Sequence, residues 1–320
     1  MSAMCLEFMP FDSAYHAPVL AAEVLALLGD RQRVLDCTLG GGGHSFALLE
    51  QGVSSVIGID RDAEALVAAG ERLAPFATAG RFTAIQANYA ALDVHPASAI
   101  AGLSFDGILL DLGISSHQID ATERGFSFRP GAPLDMRMGD DASTDAGALL
   151  NSADVGALGS IFRIYGDEPR AMRLAREVVR RRQTRPFATS DDLVGAIRGA
   201  LGPRTGAPDF ARLFQAVRIA VNDELAGLER ALPALRDRLE PGGILAVIAY
   251  HSGEDRIVKN AFRDWSAACV CPPRLPMCTC RGRPLGTTIT RRAVRASDEE
   301  TNHNPRARSA RLRAWRSAAA

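Results

Sequence analysis

Hydrophobic positions along the chain gather in short dense runs, each closed by a polar residue or a glycine and followed by a stretch of helical spacing. Val34-Leu35 ends in Asp36, Val56-Ile-Gly-Ile59 in Asp60, Phe82 to Ala87 in Asn88-Tyr89, and Phe105 to Leu110 in Asp111-Leu-Gly113. Runs so short and apolar suit strands buried on both faces, and the stretches between them suit crossover helices. The alternation predicts an α/β fold with a parallel, doubly wound sheet, in which ligands bind at the carboxyl ends of the strands. Ile244-Leu-Ala-Val-Ile-Ala-Tyr250 is a fifth buried strand, ending at His251-Ser252, and Thr287 to Arg295 with Ser309 to Trp315 alternate as a closing pair.

Other stretches carry other patterns. Met1 to Ala14 is expected to be a loose arm, Pro18 to Leu28 a short helix, and Phe214 to Leu232 one long helix. Gly113 to Asp141 has no sustained period and is expected to be a long ordered loop, a kind that is usually functional. Asp145 to about Pro208 reads as helices without strands. In Glu168 to Gln183, Ala171, Met172, Leu174, Ala175, Val178 and Val179 share one half of a helical wheel, and Arg170, Arg173, Arg176, Arg180 and Arg181 share the other. That basic face is either solvated or set against RNA phosphates.

The candidate chemistry begins at Asp36-Cys-Thr-Leu-Gly-Gly-Gly-Gly-His44, a strand, a turn and the start of a helix. Glycines let the backbone approach a ligand, and the N–H groups opening the next helix face any oxygen above them. A Walker-type phosphate loop needs Lys and Ser/Thr after its last glycine, so His44 speaks against ATP. The dinucleotide fingerprint fails at its third glycine, where Ser45 stands. Asp60 lies where such folds hold a ribose; capping the helix that follows is its alternative role. Ser115, Ser116, His117 and Gln118 follow the fourth strand, either as cofactor contacts or as a helix start. His251, at the end of the fifth strand, is either a satisfied structural residue or a functional one, and is a catalytic candidate with Asp111.

The 47% hydrophobic content of the 320 residues is that of a globular protein with a real core. Its longest apolar stretch, Ile244 to Tyr250, is too short to span a bilayer, and no basic region precedes an apolar core at the start, so a cytoplasmic protein without a membrane partner is expected. Formal net charge is zero and Lys259 is the single lysine, so charge distribution matters more than its total. From Arg274 onward eleven arginines face only Asp298, Glu299 and Glu300. Cys269, Cys271, Cys278 and Cys280 form C-x-C-x6-C-x-C; structural zinc sites favour C-x2-C, so a reduced loop stiffened by Pro272, Pro273 and Pro276 is expected rather than a metal site.

The motifs Asp36 to His44, Gly58-Ile-Asp-Arg-Asp62 and Asp106-Gly-Ile-Leu-Leu-Asp-Leu-Gly-Ile-Ser-Ser116 resemble class I (Rossmann-like) S-adenosylmethionine-dependent methyltransferases. More narrowly, the chain resembles the bacterial 16S ribosomal RNA cytosine-N4 methyltransferases, the small-subunit methyltransferase H family. Further matches are His16-Ala-Pro-Val-Leu20, Arg124-Gly-Phe-Ser-Phe128, Leu134-Asp-Met-Arg-Met138, Phe214-Gln-Ala-Val-Arg-Ile219, His251-Ser252, Glu254-Asp-Arg-Ile-Val-Lys259 and Asn304-Pro-Arg-Ala-Arg-Ser309. The resemblance implies a methyltransferase domain formed by 1–122 and 213–320, with a helical, substrate-recognising insertion at 123–212. It implies S-adenosyl-L-methionine as cofactor, held by Gly42, Gly43, His44, Asp60, Tyr89, Asp111 and Gln118. The implied substrate is a cytidine N4 in the decoding region of 16S rRNA, within the assembled small subunit; for such a substrate Arg173, Arg176 and Arg180 on the basic helix face, and Arg124 and Arg137 bounding the loop, are the expected RNA contacts. Many amino-methyltransferases carry Asn/Asp/Ser-Pro-Pro-aromatic where this chain has Asp111-Leu-Gly-Ile-Ser115, so the residue that stacks on the base is not identified. A nicotinamide oxidoreductase and a non-catalytic RNA-binding module are the rival readings; oligomeric state is left open.

Overall fold

The computed structural model describes residues 18–92, 100–271, 277 and 279–319; the arm expected over Met1 to Ala14 and Cys278 lie outside them. The chain runs α1 (Ala21–Leu28), β1 (Arg33–Asp36), α2 (Gly43–Gln51), β2 (Ser55–Asp60), α3 (Ala63–Arg72), α4 (Ala74–Thr78), β3 (Phe82–Gln86) and β4 (Phe105–Asp111). It continues through α5 (Ser116–Asp120), α6 (Ala146–Ser152), α7 (Val155–Ile164), α8 (Ala171–Arg182), α9 (Ser190–Leu201), α10 (Ala207–Asn222) and α11 (Glu224–Arg236). β5 (Leu239–Ala249), α12 (Ser252–Ser266), β6 (Gly286–Thr288), α13 (Asp298–His303) and β7 (Arg311–Ser317) complete it.

The strands lie in the order β3-β2-β1-β4-β5-β7-β6. Neighbours among β1 to β5 pair in parallel, and β7 is antiparallel to both β5 and β6. Strand parity explains why the runs are apolar throughout. Val34, Val56, Leu109, Ala246 and Ile248 pack into one hydrophobic cluster, while Leu35, Ile59, Ile108, Leu110, Leu245 and Val247 pack into another. Adjacent positions point to opposite faces, so a sheet covered on both sides needs hydrophobic residues at each.

The chain divides into two compact units, Met1–Gly113 with Gly227–Ala320, and Ile114–Ala226. The second unit therefore begins at 114 rather than 123 and ends at 226 rather than 212. The reason is α10, whose Phe210, Leu213, Phe214, Val217 and Val221 belong to the same core as Leu158, Leu174, Val178 and Ile197.

Three expectations change locally. The long helix after Phe214 is two helices, because Asp223 adopts a left-handed conformation (φ 51°) and ends α10. The loop expected over Gly113 to Asp141 contains α5 and a 3-10 turn at Thr122–Arg124. The strand expected over Thr287 to Arg295 is cut to β6, since the N–H groups of Ile289 and Thr290 both reach the Ala314 carbonyl and break the ladder. Among the described residues no helix is long and apolar enough to cross a membrane.

Candidate functional site

The order of the sheet reverses between β1 and β4, and the crevice at the carboxyl ends of those strands is where open α/β sheets bind ligands. The turn after β1 is stitched across this edge: the Cys37 N–H donates to the Leu109 carbonyl and the Leu39 N–H to that of Ile59, both at 2.9 Å. Gly40 and Gly42 have φ of 51° and 76°, a conformation that suits glycine. A Cβ on Gly40 would meet no atom within 4 Å, so the turn presents open backbone there. Under the turn, the Asp36 carboxylate is buried and accepts from the Ser45 hydroxyl (2.7 Å) and the Thr38 N–H (3.2 Å). Burial raises its pKa, against the Ser45 hydrogen bond.

Asp60, at the end of β2, accepts from the Gly40 N–H (2.8 Å) through one oxygen and from the Asp62 N–H (2.9 Å) through the other. The cap of α3 is Asp62, which accepts from the Glu64 N–H at 3.1 Å, so Asp60 is not spent on capping. Desolvation pushes its carboxyl up to about 6, against the two backbone hydrogen bonds. Tyr89 opens a 3-10 turn behind β3, its ring packed against the cluster that contains Ile59.

His44 is 6% exposed, and among the described residues neither ring nitrogen has a hydrogen-bond partner. Its Nε2 lies 3.5 Å from Asp111 Oδ2 at the end of β4, out of hydrogen-bond alignment. Buried polar atoms in that state are places where a ligand is to be expected. Asp111 is fixed from both ends: its N–H donates to the Thr38 hydroxyl (2.6 Å), and its Oδ1 accepts from the Tyr250 hydroxyl (2.8 Å). Burial, with Asp111 beside it, holds the Tyr250 phenol well above its usual pKa and therefore neutral.

His251 caps α12. Its Nδ1 accepts from the N–H groups of Gly253 (3.1 Å) and Glu254 (3.4 Å), and Glu254 accepts from the N–H groups of Tyr250 and His251. Its Nε2 is 3.2 Å from Glu254 Oε1, near enough for attraction but without hydrogen-bond geometry. Sequence reasoning missed Thr38, Ser45 and Tyr250, whose hydroxyls set this site. A hydroxyl one or two residues past a strand ending was the available signal, at Tyr250 and Thr38.

In the helical unit, Gln118 is buried and forms a capping box with Ser115: the Gln118 N–H donates to the Ser115 hydroxyl, and Gln118 Oε1 accepts from the Ser115 N–H. The stretch from Arg124 to Met138 is tightly built. Met136 is buried with φ 61°, and Asn222 clamps it from both sides, donating to the Met136 carbonyl (2.7 Å) and accepting from the Met138 N–H (2.8 Å). Arg124 donates to the carbonyls of Arg137 and Met138 and lies over the Phe126 ring. Arg137 makes a bidentate pair with Asp135, which lowers the Asp135 pKa.

On α8 the arginines are not equivalent. Arg180 is paired with Glu177 at 2.7 Å, and this hydrogen bond, with that of Arg181, holds Glu177 down to about 2. Arg173 and Arg176 are exposed, and no carboxylate among the described residues pairs with them.

A model of the MraW methylase family matches residues 13–318. The ribosomal RNA small subunit methyltransferase H of Gemmatimonas aurantiaca is 67% identical over 308 residues, covering 95% of this chain and 96% of that protein. The protein of the same name in Heliobacterium modesticaldum is 47% identical over 311 residues, covering 94% and 97%. Among solved structures, an rRNA methylase from Streptococcus thermophilus aligns with 93% of each chain at 12% identity and a TM-score of 0.41, too remote to weigh on function.

Proposed function

Because the chain belongs to the MraW methylase family, we propose that it transfers a methyl group from S-adenosyl-L-methionine to the exocyclic N4 of a cytidine in the decoding region of 16S rRNA, within the assembled small subunit. The observation that carries this reading is the group of polar atoms at the reversal of the sheet: open backbone at Gly40, Asp60 beside it, and the unpartnered imidazole of His44 next to Asp111.

The bound cofactor supplies an electrophilic methyl group on a positively charged sulfur. Asp60 takes the ribose hydroxyls: each of its oxygens already accepts one backbone N–H and keeps a second lone pair. Gly42, Gly43 and His44 hold the methionine end, where the opening N–H groups of α2 favour a carboxylate and the imidazole nitrogens gain a polar partner. Tyr89 and Gln118 line the cofactor, as the family resemblance implies. We assign Asp111 to the cofactor as well, positioned by Tyr250 and Thr38. His251 is assigned to helix capping, because its accepting nitrogen is already committed.

The cytosine amine is a poor nucleophile, since its lone pair is delocalised into the ring, so positioning has to supply much of the rate. A base taken out of its stack costs a few kcal/mol, which contacts from the ordered stretch Arg124 to Arg137 offset. Arg173, Arg176 and Arg180 supply the contact to RNA phosphates.

Asp111→Asn keeps the shape and removes the charge. Calorimetry with S-adenosyl-L-methionine and methyl transfer to small subunits are expected to fall together. Normal cofactor binding with lost transfer would move Asp111 to the amine, and mass mapping that finds the methyl on C5 or on a ribose oxygen would refute the N4 assignment.

A further inference from the structure

The described residues of the loop between α12 and β6 are held at its base. At the base, the Leu285 N–H donates to the Trp265 carbonyl (2.8 Å), and the Arg281 guanidinium donates to the carbonyls of Asp264, Ala267 and Arg283. Further out, Val270 and Met277 are 46% and 77% exposed, so these hydrophobic side chains provide no apolar anchor. Three of the four described thiols converge there. The Sγ atoms of Cys269, Cys271 and Cys280 all lie within 4.8 Å of one another, with those of Cys269 and Cys280 at 3.8 Å.

The C-x-C spacing counted against a metal in the sequence, but the distances reverse that judgement. Zinc binds thiolates at about 2.3 Å, and the edge of a tetrahedron of that size is about 3.8 Å. The Val270 N–H donates to Cys280 Sγ at 3.4 Å, and a backbone donor so placed suits the ionised sulfur that a metal requires. Three soft donors select zinc over the hard cations. The cluster is also accessible, with Cys269 exposed and the other two half-buried.

We propose that Cys269, Cys271 and Cys280 bind one zinc ion through their thiolates, and that this ion fixes the loop joining α12 to the β6–β7 edge of the sheet. Neither the proposed methyl transfer nor its cofactor enters this inference.

The full-length chain, purified without a histidine tag in reducing buffer, is expected to carry about one zinc per chain by elemental analysis. After chelation, titration with cobalt(II) should restore thiolate-to-cobalt charge-transfer absorption and the visible bands of a tetrahedral site. Cys269→Ser and Cys280→Ser should lose the metal, while Met277→Ser, in the same loop, should keep it. The cobalt spectrum of the unaltered chain is decisive even if a cysteine variant fails to fold. A reduced chain that takes up neither metal, cysteine variants that retain zinc as tightly as Met277→Ser, or a disulfide within the cluster would each overturn the proposal.

Discussion

Asp60 is an acid whose environment sets when it can work. Desolvation keeps its proton until about pH 6, and only the ionised form offers acceptors to two ribose hydroxyls. With Asp60 holding the ribose as proposed, affinity for S-adenosyl-L-methionine is expected to be full above that pH and to fall as pH drops through it, by about tenfold at one unit below. Calorimetry across pH 5 to 8 checks this; Asp60→Ala should bind at least about tenfold more weakly at neutral pH, from loss of hydrogen bonds worth about 1.5–3 kcal/mol each, and lose that pH dependence. Unchanged affinity would remove Asp60 from the cofactor site. Tyr250→Phe keeps the ring and deletes the donor to Asp111, and is expected to weaken cofactor binding about tenfold while circular dichroism stays unchanged. An affinity equal to the parent's would make that hydroxyl a packing feature. Asp60, His44 and Asp111 stand out in the sequence as candidates because each directly follows an apolar run or a glycine turn. Tyr250 was marked only as a hydroxyl following a strand ending; its partner lies 139 residues away, so no local pattern indicates the pair.

At the scale of elements, periodicity located the strands well and the interruptions poorly. An apolar run buried on both faces announces itself, whereas the left-handed Asp223 between α10 and α11 and the shared Ala314 carbonyl that ends β6 depend on tertiary contacts. The same limit applies to α8. Its helical wheel shows five arginines on one side but does not show that Glu177 neutralises part of that charge. Arg173 and Arg176 should therefore dominate the electrostatic contact with RNA. Each replacement by Ala is expected to reduce the slope of log affinity against log salt by about one, and Arg180→Ala by less. Binding to small subunits measured at several salt concentrations tests the ranking; equal slopes in all three variants and the parent would return this face to solvent.

For the whole molecule, the balance of 37 basic and 37 acidic residues means that no net field draws RNA to the protein. Recognition has to come from local sites, and the basic positions are spread over α8, the stretch Arg124 to Arg137 and the arginine-rich C-terminal segment. The sequence indicated two domains but drew the helical one too narrowly, because the affiliation of α10 is decided by which core its apolar face joins. Contacts distributed over separate stretches are useful only to a substrate large enough to engage several of them. A free nucleotide can engage few, and the binding energy needed to hold a weak nucleophile in line is then missing. Transfer of labelled methyl from S-adenosyl-L-methionine should therefore be fastest with assembled small subunits lacking the modification, slower with protein-free 16S rRNA, and at least about a hundredfold slower with cytidine monophosphate. Adding salt should slow the reaction with subunits and leave the residual reaction with the nucleotide nearly unchanged. Equal rates on nucleotide and subunit would mean that the catalytic pocket alone specifies the substrate, and would remove the helical unit and the arginine stretches from recognition.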